Sequence, residues 1–158
     1  CNYYGETMQI DEFESIMIGS VEGGLVGQNI MLMAESQGLG GVIIGGIRNK
    51  PTEVVELLGL PKYTFPLFGI CLGYPDPKQI PWLKPRLPKE IAIFDECYNK
   101  ESIDEGLKNY EEVTSDYYNR RTMGENMDGW SKRMSEYISN ERRPFLKEKL
   151  IEQGFLRK

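Results

Sequence analysis

Gly40-Gly41-Val42-Ile43-Ile44-Gly45-Gly46-Ile47-Arg48-Asn49-Lys50-Pro51 is the stretch whose reading decides the fold. The β-branched run between glycine pairs has the length and residue types of a buried strand. The second pair marks a tight turn, and Pro51 suits the first turn of a helix running through Leu58. Gly45 and Gly46 lack a Cβ, so their N–H groups could meet a bound group closely, with Arg48 adding positive charge. A turn that merely needs glycine explains the same residues, and Asn49 reads equally well as a helix cap.

Upstream, Val21 to Gln37 carries Leu25, Val26, Ile30, Met31, Leu32, Met33 and Ala34 around the whole circumference of a helix. Such a helix needs burial on several sides, in a core or between subunits. Gly38 ends it. Downstream, Phe65 to Gly73 reads as a second buried strand, with Cys71 as a packing thiol because no cation lies beside it in sequence. Tyr74 to Pro88 holds prolines at 75, 77, 81, 85 and 88 and is expected to form a stiff extended loop.

Lys84 and Arg86 stand two residues apart in that loop. An extended backbone can aim both side chains one way, as a phosphate requires, although two ordinary surface cations have the same spacing. Ile91 to Cys97 is expected to be a third strand. Ile103 to Arg121, Met127 to Ser139 and Pro144 to Gln153 show the spacing of amphipathic helices. Arg120 and Arg121 close the first of them, where cations complement a helix C-terminus, ahead of a loop, Thr122 to Asn126, expected to be mobile.

The chain of 158 residues is 40% hydrophobic and 27% charged, with a formal charge of -5 and no histidine. This composition fits one soluble, mildly acidic domain. Without imidazole there is no Ser-His-Asp or Cys-His nucleophile system and no His-ligated metal. Cys1, Cys71 and Cys97 lie far apart without CxxC spacing, so neither a metal site nor a disulfide framework is expected, and the cytoplasm is the expected compartment. No apolar run reads as long enough for a membrane span, Cys1 to Thr7 lacks the layout of a signal peptide, and the acidic balance argues against a nucleic-acid surface.

Taken in order, Gly27-Gln28-Asn29, Ala34-Glu35-Ser36, Gly38-Leu39-Gly40-Gly41, Ile44-Gly45-Gly46-Ile47-Arg48-Asn49, Leu67-Phe68-Gly69, Leu72-Gly73, Leu83-Lys84-Pro85-Arg86-Leu87-Pro88, Trp130-Ser131 and Arg142-Arg143-Pro144-Phe145 resemble the FMN-dependent nitroreductase family. The branch they are most similar to contains oxygen-insensitive NADPH nitroreductases and NAD(P)H-flavin oxidoreductases. The resemblance implies an α+β fold with a central, mostly antiparallel sheet flanked by helices, and a single domain over residues 1–158. Relatives carry further flavin ligands ahead of the point matching Cys1, so the chain is expected to be the central and C-terminal portion of such an enzyme, binding FMN weakly and inactive by itself.

The resemblance also implies the site. Gly45 and Gly46 would direct amides at the flavin ring, Ile43, Ile44 and Ile47 would supply apolar contact, and Lys84 and Arg86 would hold the FMN phosphate. Arg121 matches an arginine that contacts the NADPH phosphate, but the following loop carries Glu125 and no further cation, leaving NADPH and NADH both open as donors. The implied reaction is ping-pong, with hydride passing through flavin N5 to a nitroaromatic, a quinone or free flavin and no catalytic side chain required. A homodimer is implied, its interface including the apolar helix. The alternative is a flavin-binding or dimerisation module without turnover.

Overall fold

The computed structural model describes residues 2–5, 13–79 and 82–156. Cys1 and Pro81 lie outside the described residues. The chain divides into two compact units, residues 1–79 with 143–158, and residues 80–142.

The first unit opens with a 3-10 turn, Asn2–Tyr4, and contains α1 (Phe13–Ser36), β1 (Gly40–Ile44), a 3-10 turn (Gly45–Asn49), α2 (Pro51–Leu58), β2 (Gly69–Gly73) and, from the far end of the chain, a C-terminal helix (Leu146–Gln153). β1 and β2 pair antiparallel from Gly40 opposite Gly73 to Ile44 opposite Gly69. All three helices stop in the same way. Gly38, Gly59 and Gly154 take left-handed backbone at φ +78, +59 and +106, which glycine adopts without a Cβ penalty. The N–H of the next residue, Leu39, Leu60 or Phe155, then reaches back to Ala34, Val55 or Leu150. α1 packs through glycines: a Cβ on Gly23 would stand 2.8 Å from Leu67 Cδ1, and one on Gly27 would stand 2.7 Å from Phe68 Cζ. The leucine and phenylalanine that lead into β2 are thereby seated against the helix backbone.

The second unit contains α3 (Lys89–Ala92), α4 (Lys100–Arg121) and α5 (Trp130–Ser139); the C-terminal helix of the first unit is α6. Asn99 caps α4 by accepting from the N–H of Glu101 and of Ser102, at 3.0 and 3.4 Å. α5 has no side-chain cap of its own. Its opening amides are satisfied by α4 instead. Thr114 Oγ1 accepts from Trp130 N at 2.8 Å, and the Glu111 carboxylate accepts from Ser131 N at 2.6 Å, where negative charge also complements the helix dipole. Thr114 is fully buried and donates its own proton to the Tyr110 carbonyl at 2.7 Å.

Four expectations change. The run Ile91 to Cys97 is not a strand: its first residues complete α3, and the chain then bends, with Glu96 at φ 58 and Cys97 N donating to Asp95 O. Pro88 sets this up by leading directly into the helical turn, and Gly106 of α4 leaves room for Ile91, so the isoleucine is buried by helix rather than by sheet. Both strands are largely open rather than buried, with every residue of β1 after Gly40 exposed, and Cys71 of β2 is exposed as well. Of the two settings expected for α1, the chain's own core covers only Gly27 and Ala34, leaving Val21, Leu25, Val26, Leu32 and Met33 more than half exposed. Starting at Phe13, the helix is also longer than its apolar core suggested; its 24 residues include an 18-residue window apolar enough to cross a membrane, by length and composition alone. Finally, Thr122 to Asn126 is a hydrogen-bonded turn, in which Thr122 Oγ1 accepts from Asn126 N at 2.8 Å and Gly124 N donates to Asn119 O at 2.8 Å.

Two predictions follow the packing. Gly24→Ala, facing open space in this chain, should raise stability by about 0.5 to 1 kcal/mol through helix propensity, whereas Gly27→Ala should lower it by about 1 to 3 kcal/mol by forcing Phe68 aside. Equal effects of the two in thermal unfolding would contradict the glycine-face packing. Thr114→Val should cost about 1 to 3 kcal/mol in denaturant unfolding by orphaning the Trp130 amide, with Thr114→Ser retaining most of the stability. A valine variant as stable as the parent would remove the proposed cap.

Candidate functional site

The sequence-predicted residues fall into two groups, one in each unit. In the first unit, the β1–β2 ladder ends at Ile44, so the Gly45–Gly46 peptide lies just beyond the last strand pair. Neither glycine takes positive φ. A Cβ on Gly46 would meet nothing nearer than Ile44 Cγ2 at 3.7 Å. The protein therefore has no conformational or packing need for glycine at 46, and the missing side chain leaves an open approach to the backbone. Gly45 differs: its Cβ would stand 3.1 Å from Arg48 Nη2. Ile43 and Ile44 are exposed and Ile47 half-buried, giving an apolar border to this peptide.

Two guanidinium groups hold the turn. Arg48 Nη1 donates to the Leu67 carbonyl, tying the turn to the segment that enters β2. Arg143 Nε donates to Asn49 Oδ1 at 2.9 Å, and its Nη2 donates to the Gly45 carbonyl at 3.3 Å. Asn49 is thus an acceptor for Arg143 rather than a cap, since α2 begins after Lys50 with no side-chain cap bond. Arg143 was singled out only as part of a family motif; the signal for its role, contact with residues nearly a hundred positions away, is absent from local sequence.

In the second unit, the proline segment is pinned to α4 by two buried tyrosines. Tyr110 Oη donates to the Pro85 carbonyl at 2.8 Å and Tyr117 Oη to the Trp82 carbonyl at 3.3 Å. These tyrosines, 5% and 4% exposed, sit two turns apart on one helical face. The carbonyls of Trp82 and Pro85 are thereby fixed around Lys84, with Arg86 following. Lys84 Nζ lies 5.7 Å from the centroid of Tyr118, and Arg133 of α5 lies 4.1 Å from the same ring. Arg121 Nη1 donates to Tyr117 Oη at 2.9 Å.

The ion pairs among the described residues join Lys50 to Glu53, Arg120 to Asp116, Lys132 to Asp128 and Lys149 to Glu152. None uses Lys84, Arg86, Arg121 or Arg133. Cations on a backbone braced by prolines and tyrosine hydroxyls, as Lys84 is, and outside the ion pairs formed among the described residues are suited to an anionic ligand, phosphate above all. Tyr110, Tyr117 and Arg133 were not foreseen, although tyrosines seven residues apart on a helix behind a proline-rich segment are a readable sign of a clamp.

Known proteins give the arrangement a context. The description "Nitroreductase family" matches residues 17–74, and "Nitroreductase family, C-terminal domain" matches residues 84–158. An oxygen-insensitive NADPH nitroreductase of Salmonella typhimurium is 43% identical over 148 residues, covering 93% of this chain and 60% of that protein. The solved structure of the hypothetical oxidoreductase YcnD from Bacillus subtilis superposes with a TM-score of 0.92 at 37% identity, covering 98% of this chain and 62% of that one. The structure of NADPH:FMN oxidoreductase from Vibrio harveyi complexed with NAD+ superposes at 0.84 with 36% identity, covering 99% and 63%. The chain spans about three fifths of the length of these relatives. With both family descriptions matched in order and the fold shared at such scores, the chain belongs to the nitroreductase family, within an α+β fold.

Proposed function

We propose that this chain forms part of an FMN-dependent NAD(P)H oxidoreductase that reduces nitroaromatics, quinones or free flavin. The observation that carries the reading is the Gly45–Gly46 peptide, left beyond the sheet ladder with a side-chain-free approach at Gly46 that the protein's own packing does not require. Such a surface fits the edge of a planar ring. Bound FMN would supply two-electron transfer between a nicotinamide donor and the acceptor.

The chain's own residues bind and orient. The amides of Gly45 and Gly46 are assigned to the polar edge of the flavin ring, and Ile43, Ile44 and Ile47 to its apolar surface. Lys84 and Arg86 are assigned to the FMN phosphate, supported by their absence from the ion pairs formed among the described residues and by the fixed backbone around them. Arg121 is assigned to the dinucleotide phosphate; its bond to Tyr117 holds it to the α4 face, and NADPH is favoured over NADH to the extent that this charge is used. Pairing with a second copy of the chain through α1 is supported by the exposed Val21, Leu25, Leu32 and Met33, which water alone would leave unfavourably hydrated. A cytoplasmic setting is supported by the free thiols of Cys71 and Cys97. Residues 1–158 would then act as one domain of a longer enzyme.

Lys84→Ala and Arg86→Ala should each weaken FMN retention by about 1.5 to 3 kcal/mol, the size of a charge-assisted hydrogen bond. Unchanged flavin occupancy after exhaustive dialysis of both variants would remove the phosphate assignment. At the other end, Gly46→Val should leave the melting temperature close to that of the parent while lowering FMN affinity at least tenfold, because the branched side chain occupies the open approach. Full flavin uptake by that variant would show that the ring does not lie there.

A further inference from the structure

We infer that Arg143 is a positioning residue that tunes the Gly46 amide, and through it the relative affinity for oxidised and reduced FMN; the inference rests on the flavin reading above. The Gly45 carbonyl and the Gly46 N–H are two ends of one peptide group. A guanidinium donating to that carbonyl at 3.3 Å withdraws electron density along the peptide and makes the N–H at its other end a stronger donor.

Four further observations support this role. The same guanidinium is anchored by its Nε to Asn49 Oδ1 at 2.9 Å, so it spans the 3-10 turn from first residue to last. Arg143 itself sits at φ 54, a left-handed conformation that costs an ordinary L residue energy and that here aims its side chain back at the turn. Arg48 brings a second guanidinium against Gly45, with Nη2 3.1 Å from where a Cβ would stand. Neither Arg48 nor Arg143 joins the ion pairs formed among the described residues, so their charge is not cancelled locally.

A peptide polarised in this way favours whichever form of the ring carries more electron density at its polar edge. Reduced FMN is that form. Arg143 therefore raises the affinity for reduced FMN more than for oxidised FMN, without touching either.

The test compares Arg143→Met, which keeps the length of the stem but removes the fork, with Arg143→Lys, which restores charge without bridging two acceptors. Asn49→Ala is the second variant, loosening the anchor alone should Arg143→Met fail to fold. Titration with FMN, oxidised and then reduced by dithionite, gives both dissociation constants for the full chain. Amide proton shifts of Gly46 in flavin-free protein give the polarisation directly. The expected result is an upfield move of the Gly46 amide in Arg143→Met. Reduced-FMN affinity should fall about tenfold more than oxidised-FMN affinity, equivalent to a midpoint potential lower by about 30 mV, with partial recovery in Arg143→Lys and a smaller effect in Asn49→Ala. An unmoved Gly46 amide, or equal losses for the two flavin forms, overturns the inference while leaving the flavin reading intact. Uptake of neither form by the longer enzyme of which this chain is part overturns the flavin reading, and the role of Arg143 toward flavin with it.

Discussion

The β1–β2 ladder is the constraint on which the first unit depends. Its register, from Gly40 opposite Gly73 to Ile44 opposite Gly69, uses up the backbone bonding of the strand at Ile44 and leaves the next peptide outside the sheet. A proline seven residues after Ile44 then obliges the chain to have turned and begun a helix. Between those two fixed points the five residues Gly45–Asn49 have little freedom, and Arg48 and Arg143 remove what remains by binding carbonyl and amide oxygens on either side. A slip of one residue in the ladder would move Gly45 into the sheet and close the approach to its peptide.

In the second unit the corresponding device is the tyrosine clamp. Prolines strip a segment of N–H donors, but their carbonyls still accept, and Tyr110 and Tyr117 use the carbonyls of Pro85 and Trp82. Each neutral bond contributes only about 1 kcal/mol, but the segment was stiff beforehand, so little conformational entropy remains to be lost on ordering it. Cations carried on such a backbone meet an anion without first being immobilised. That is the difference between Lys84 and a lysine on a free surface loop, and it explains why the unit spends two buried hydroxyls on holding main chain.

Much of this was legible from residues alone where the signal was local. Pro51 opened α2, Gly38 closed α1, no helix or strand occurs among the described residues between 75 and 88, and the three C-terminal helices followed their apolar spacing to within a few residues. The failures were non-local. Ile91 to Cys97 has the composition of a strand, but a strand needs a partner, and α4 offered Gly106 as a seat for Ile91 instead. Composition alone predicted burial for Cys71, which is exposed; for α1 it left a core and a subunit interface open, and the chain's own elements cover only the glycine face of the helix. The candidate residues at 43–47, 84, 86 and 121 were legible through family resemblance, whereas the residues that hold them in place act across long sequence separations: the seven-residue spacing of Tyr110 and Tyr117 is the one local sign of them, and Arg143 leaves none.

The most direct measurement is an amide-resolved NMR titration of the isotopically labelled chain with FMN, compared with a matched titration using riboflavin, which has the ring but no phosphate. FMN is expected to shift the amides of Gly45, Gly46 and Ile47 together with those of Lys84 and Arg86, and riboflavin to shift the first set while sparing the second. Shifts confined to other residues, or identical patterns for the two ligands at Lys84 and Arg86, would contradict the assignment of ring and phosphate on which the proposed function stands.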